Sequence, residues 1–271
     1  IGRLCIHISA NDIASNGIEP IGILLAVMLP EGTTEEDITH IMGQAAETAA
    51  ECNIEIIGGH TEITKAVNRP VVVSTAVGRG SKGQSASASE IKPGDAILMT
   101  KTAGIEGTGI IACDYEEELR EVLSGEELEH AKSLLSKVSG VKDGIIAGRI
   151  GTHGMHDVTE GGILGAVWEM CSIAGTGARL DAEAIPADDV TRRICEHYDI
   201  NMLRLISSGS MLIMTEEDKK EEIIRELAAQ GIPAAQIGKI VPKEEGLSIC
   251  EGGKQTQIDP PGPDELYKIV K

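Results

Sequence analysis

The chain has no phenylalanine, one tryptophan (Trp168) and three tyrosines (Tyr115, Tyr198 and Tyr267) among its 271 residues. Its core must therefore come from Ile, Leu, Val, Met and Ala, and it offers few rings on which a nucleic-acid base could stack. Positive charge is also scarce. Lys and Arg number 24 against 43 Asp and Glu, a formal net charge of -19. Such a surface repels phosphate backbones and anionic leaflets, which argues against nucleic-acid polymers and membranes as partners. A nucleotide remains possible, because backbone amides and one cation can hold phosphates inside an acidic protein.

No apolar run approaches the roughly 18 residues that a membrane-spanning helix needs. The longest, Ile21 to Leu29, reads as a buried strand. Close cysteine pairs are missing too. Cys5, Cys52, Cys113, Cys171, Cys195 and Cys250 stand apart, no two closer in sequence than Cys171 and Cys195. That spacing excludes local zinc ribbons and CxxC redox motifs and points to free thiols in a reducing cytoplasm. The sequence opens on Ile1 and shows no signal peptide, so a preceding leader of native sequence is expected.

What is present reads as an α+β chain with two domains. Residues 4–9 alternate like a strand, and a short capped helix over NDIASNG follows. Ile21–Leu29 is apolar on both faces, as a central strand requires. From Thr34 to Asn53, the positions Ile38, Ile41, Met42, Ala45, Ala49 and Cys52 form one helical stripe, with Thr34 and Asp37 as a capping box. Residues 54–57 predict a strand, GGHTE a loop, and Val71–Gly78 another strand. Gly, Ser, Ala and Lys without any period mark residues 79–92 as the domain boundary. Past it the pattern predicts a strand at 96–100, helices between 106 and 150, and a short strand ending at Asp157. A helix through GGILGAVWEM, a strand at 208–215, a helix at 216–230 and strands at 237–241 and 247–250 complete it. The domains are thus 1–82 and 92–250, and 251–271 reads as a loosely packed tail.

Several segments could carry chemistry. GRGSKG (Gly78–Gly83) fits GxGxxG, but it runs into SASAS rather than a helix and is a linker. No Walker loop is present. In GGHTEIT, Gly58 and Gly59 allow tight backbone geometry, and His60, Thr61 and Glu62 could reach a metal or phosphate; a plain polar hairpin end is the alternative. In MHDVTEGGILGA, Asp157 or Thr159 can cap a helix whose first turn holds Glu160, Gly161 and Gly162. Two glycines there leave bare amides for a ligand, or serve close helix packing. Asp12, after Asn11, is either a helix cap or a carboxylate placed for Mg²⁺. Lys101 ends a strand before the glycine-rich AGIEG, and Ser207-Ser208-Gly209 makes a small-residue turn. No histidine outside the GGHTE segment receives a role from its sequence context.

NDIASNG, GGHTE, TKTAGIEG, MHDVTEGGILGA and ISSG occur in the order and spacing of the AIR synthase (PurM) superfamily. The chain resembles that superfamily over about Ile1 to Val241, and DVTEGG and GIEG are most similar to its hydrogenase-maturation, HypE-like branch. The resemblance implies a PurM-like architecture: an N-terminal sheet domain that dimerises by pairing its strands, then a C-terminal α/β domain. It implies Mg²⁺ and ATP as cofactors, bound at Asn11, Asp12, Gly58, Gly59, His60, Thr61, Lys101, Glu106 and Gly107, with Asp12 and Glu62 as metal carboxylates. Asp157, Thr159, Glu160, Gly161, Gly162 and Ser208 would line the cleft. Members use ATP to phosphorylate a carbonyl or amide oxygen, so the acceptor would be a small or protein-borne substrate; a nucleotide-binding regulatory protein without turnover is the alternative. HypE-type members carry Asp where His60 stands and a basic residue where Glu62 stands. Their tail ends in a reactive cysteine, whereas the last cysteine here is Cys250.

Overall fold

Residues 4–9, expected as a strand, lie inside a helix, α1 (Gly2–Ala14). The alternation in LCIHIS is brief. Across the whole segment the buried positions include Gly2, Cys5, Ile6, Ser9, Ala10 and Ala14, which repeat with the helical period. The computed structural model describes residues 1–81, 83 and 86–270. Of the expected linker, Lys82, Gln84 and Ser85 lie outside the described residues, as does Lys271 of the tail.

The central strand is β1 (Pro20–Leu29), and α2 (Glu35–Glu51) follows with the expected capping box. Thr34 Oγ1 accepts the Asp37 amide at 3.2 Å, and Asp37 Oδ2 accepts the Thr34 amide at 2.9 Å. Next come β2 (Glu55–Ile63), parallel to β1, and β3 (Val71–Gly78), antiparallel to it, giving a sheet of order β2-β1-β3. GGHTE is therefore strand rather than loop. The register shifts between Ile23 and Leu24, and a Cβ at Gly59 would sit 1.9 Å from the Leu25 carbonyl oxygen. Here the glycine admits a neighbouring strand. Helices α1 and α2 cover one face, where Ile23, Leu25, Val27 and Leu29 are buried against Ile6, Ala10, Ile41 and Ala45. On the other face Leu24 and Val73 remain exposed.

The second domain runs β4 (Ala96–Thr100), α3 (Ile105–Asp114), α4 (Glu116–Leu119), α5 (Gly125–Ser133), α6 (Val141–Ile150), β5 (Gly154–Asp157) and α7 (Gly162–Ala174). It continues with β6 (Gly177–Asp181), α8 (Asp189–His197), β7 (Met211–Thr215), α9 (Lys220–Ala229), β8 (Ala234–Val241), β9 (Leu247–Glu251) and β10 (Lys254–Gln257). These strands form one sheet of order β10-β9-β6-β8-β4-β7-β5. One face packs Ile97, Met99, Leu212 and Met214 against α7; the other packs Leu98, Met211 and Ile213 with Ile223 and Leu227 of α9. Both central strands are buried on both faces, which explains their unbroken apolar runs. The α+β, two-domain architecture read from the sequence is present.

Two features of this topology place the site. Strands β4 and β5 are each antiparallel to β7, with Asp157 opposite Met211 and Met99 opposite Leu212. The C-terminal ends of β4 and β5 therefore meet the turn entering β7 at one edge of the sheet. The tail, expected to be loose, is docked. Ile258 is 3% exposed, Asp264 3% and Ile269 8%, and Tyr115 donates to the Ile269 carbonyl at 2.7 Å. Its two buried isoleucines join the apolar clusters of this domain, a contribution that a Pro-rich and charged segment hides. Among the described residues no helix is long and apolar enough to cross a membrane.

Candidate active site

At that edge the chain turns sharply after β4. Lys101 adopts φ +57° and Gly104 φ +72°, and α3 begins at once. This turn is stitched to residues 206–210. Ser207 Oγ accepts the Ile105 amide at 3.1 Å, Ser210 Oγ donates to the Thr102 carbonyl at 2.8 Å, and Ile206 O accepts the Gly107 amide at 3.0 Å. The stitching sets Glu106, in the first turn of α3, against Ser208. Asp157, ending β5, lies beside them, and Asp12 near the end of α1 comes in from the N-terminal domain.

Five acidic groups, Asp12, Glu106, Asp157, Glu160 and Asp264, thus act on one another near the domain junction. Burial pushes the Asp157 carboxyl up to about 6, and the charges of Asp12 and Glu106 push in the same direction while His156 opposes them. Glu106 is raised by burial, partly offset by the hydroxyl and amide of Ser208 and reinforced by Asp264 and Glu160. Asp12 stands at the exposed mouth, raised by partial burial of its carboxyl and lowered by His156. Glu106 Oε2 and Asp157 Oδ2 are buried without a hydrogen-bond partner, and the Ser208 hydroxyl lies against the Glu106 carboxyl. Buried oxygens are almost always paired in folded proteins, so two orphaned carboxylate oxygens side by side make this the candidate ligand site.

The donor set is all oxygen, which suits a hard divalent cation. Among the described residues no three Asp, Glu, His or Cys side chains already close around one ion. Asp12 and Asp157 are the carboxylates that could hold such a cation, with water and phosphate oxygens completing its shell.

The structure separates the remaining candidates. Asn11 and Lys101, expected at the nucleotide, are fully engaged by protein. Asn11 is completely buried, its Nδ2 donating to Val138 O at 2.9 Å and its Oδ1 accepting the Gly140 amide at 2.7 Å. Lys101 Nζ donates to Asp143 Oδ1 at 2.7 Å, Ser139 O at 2.9 Å and Gly209 O at 2.5 Å. Gly58, Gly59, His60, Thr61 and Glu62 are on β2, and Glu62 pairs with His60 at 3.6 Å on the exposed face of the sheet. No described contact joins Glu62 to the acid site. Thr159 belongs to the turn before α7, whose Gly162 amide donates to Thr159 O. The amide end of α7 is filled from within: Gly161 donates to Asp264 Oδ2 at 2.7 Å, and Glu160 accepts from the Tyr267 hydroxyl at 2.6 Å.

Three residues of this site have no signal in the local sequence. Asp264 reaches Gly161 from the tail, and Asp143 holds Lys101 from the first turn of α6. His156 precedes Asp157 on β5. Its Nδ1 donates to the Asp157 carbonyl at 2.5 Å, and its Nε2 faces Glu169 Oε2 at 3.0 Å. Opposite Leu212, it sits on the face of the sheet that packs against α7.

Comparison with known proteins finds two family domains in the chain. Residues 1–80 match the N-terminal domain, and residues 92–250 the C-terminal domain, of the AIR synthase related proteins. Carbamoyl dehydratase HypE of Escherichia coli is 27% identical over 275 residues, covering 99% of this chain and 79% of its own. A Methanocaldococcus jannaschii protein named for hydrogenase expression/formation is 26% identical over 275 residues, covering 99% and 78%. The crystal structure of E. coli HypE superposes with a TM-score of 0.86 at 26% identity, covering 100% of this chain and 82% of its own. A HypE solved in complex with ATP shares the fold, with a TM-score of 0.79 at 20% identity and coverage of 99% and 81%.

Proposed function

Because the chain belongs to the AIR synthase related family, we propose that it is a HypE-like enzyme that binds Mg-ATP and activates a carbonyl or amide oxygen by phosphorylation. The observation that carries this reading is the pair of buried, unpartnered carboxylate oxygens of Glu106 and Asp157, with Asp12 at the mouth above them. Asp12 and Asp157 would hold Mg²⁺. The ion would neutralise phosphate charge inside a strongly acidic protein.

The chain's own residues supply the rest. The turns at 101–105 and 206–210 are fixed by hydrogen bonds, so Ser208 and Glu106 are pre-positioned rather than ordered on binding. Glu106, with its raised pKa, is the candidate base for a proton leaving the acceptor. The relatives named carbamoyl dehydratase suggest a carbamoyl-type acceptor, whose oxygen would depart as phosphate. A second copy of the chain would pack on the exposed apolar face of β1 and β3, giving a homodimer.

Titration calorimetry of the full chain tests the reading. Mg-ATP should bind, and Asp12→Ala or Asp157→Ala should weaken it at least tenfold. Absence of any Mg-ATP binding overturns it. A binding protein without turnover is the second reading, favoured by His60 and Glu62 in place of the residues that HypE-type members carry. It predicts nucleotide binding with no phosphate released from any carbamoyl or amide acceptor.

A further inference from the structure

Asp12 and Asp157 belong to different domains, so their spacing is set by whatever fixes α1 against the sheet edge. We propose that Asn11 and Lys101 are positioning residues, forming one clamp that holds Asp12 at its working distance from Asp157 and Ser208. The inference rests on reading the acid site as the cation and nucleotide site. It converts two residues that look like ligand contacts into the frame of the site.

The clamp can be followed bond by bond. Asn11 precedes Asp12 in α1, and its amide grips Val138 O and the Gly140 N–H across the domain junction. Between those two, Ser139 O accepts from Lys101 Nζ. The same ammonium takes Asp143 in the first turn of α6 and Gly209 O in the turn before β7. Gly209 follows Ser208, and β7 pairs with β5 at Met211 and Asp157. One chain of hydrogen bonds therefore runs from the residue beside Asp12 to the residue beside Ser208.

Three further features show that the clamp is built tightly. An ammonium has three N–H donors, and all three of Lys101 are used, with its side chain 13% exposed and that of Asp143 1% exposed. Lys101 holds φ +57°, a conformation that L residues rarely adopt and that persists where surrounding contacts over-determine it. Helix α1 also lies directly on α6, where a Cβ at Gly144 would meet the Ala14 carbonyl oxygen at 2.1 Å. Ligand geometry must hold within about 0.5 Å for a site to work, and these contacts supply that rigidity from outside it.

Binding of Mn²⁺ alone to the full chain, followed by electron paramagnetic resonance, tests the proposal. Asn11→Ser and Lys101→Gln are each expected to weaken Mn²⁺ about tenfold while the thermal transition stays cooperative. In an Asp12→Asn background, Asn11→Ser should have no further effect, since the residue it positions no longer binds. An equal loss in both backgrounds, or no loss in either, overturns the clamp. Hydrogen exchange gives a metal-independent arm: Lys101→Gln should speed exchange together in residues 9–14, 138–144 and 207–211. Faster exchange confined to one of these segments overturns the clamp as well. If the wild-type chain takes up no Mn²⁺, the cation reading of the acid site fails, and the exchange result alone decides the clamp.

Discussion

Asp264 accepts the Gly161 amide at 2.7 Å, so a residue near the C-terminus caps a helix that begins about a hundred positions earlier. Its other oxygen accepts the amides of Ile206 at 3.2 Å and Leu266 at 2.9 Å. Removing the carboxylate strands buried N–H groups beside the acid site. Asp264→Ala is expected to destabilise the protein by about 1–3 kcal/mol, the penalty for unpartnered buried donors. Asp264→Asn, which keeps an acceptor, should lose less. Differential scanning calorimetry ranks the two; equal transition temperatures for wild type and Asp264→Ala would show that the cap is idle.

Asp157 makes stability depend on pH in a defined direction. A carboxyl whose pKa is raised by folding favours the folded state while protonated, and that contribution is lost as pH rises through the folded value. For Asp157 the window runs from about pH 4 to about 6. Its contribution to unfolding free energy should fall across that window. Urea unfolding of wild type and Asp157→Asn across this range isolates it. The difference between the two curves should slope downward with rising pH, and a flat difference contradicts the burial of this group.

The exposed face of the N-terminal sheet predicts assembly. Leu24 and Val73 are 40% and 51% exposed on neighbouring strands, an apolar surface that monomers rarely leave open. Leu24→Glu or Val73→Lys should convert a dimer to monomers in sedimentation velocity without changing the secondary structure. A monomeric wild type would assign that face to another partner.

Gly59 allows a sharp test of β2. Its φ of +143° and the Leu25 backbone against it leave no room for a methyl group. Gly59→Ala is expected to cost on the order of 3 kcal/mol by breaking the β1–β2 pairing. Amide exchange should show the loss in residues 55–63 first, whereas Gly125→Ala, with nothing within 4 Å and no positive φ, serves as the control.

The sequence announces elements whose signals are local and repeated. The α2 stripe with its Thr34–Asp37 cap and the apolar runs of β1, β4 and β7 are legible because each depends on its own neighbours. The site is legible only in part. Asp12, Glu106, Asp157 and Ser208, drawn from the expected nucleotide and cleft residues, lie at one end of the second sheet. Asn11 and Lys101 look like ligand contacts because their partners Val138, Gly140, Asp143 and Gly209 are remote in the chain. GGHTE reads as a loop because paired glycines usually mark turns, and here they accommodate a β-bulge. The tail reads as loose because Asp264 and Ile269 have no periodic company.

The bonds of Lys101 and Asn11 also bear on how the chain folds. They span 38, 42 and 108 residues for Lys101, and 127 and 129 for Asn11. Loops of that length close slowly, after local helices and hairpins have formed. Local helices and the β9–β10 hairpin can therefore form while the acid site does not yet exist. In refolding experiments, recovery of helical circular dichroism is expected to precede recovery of cation binding, and the interval between them is the time the two domains take to lock.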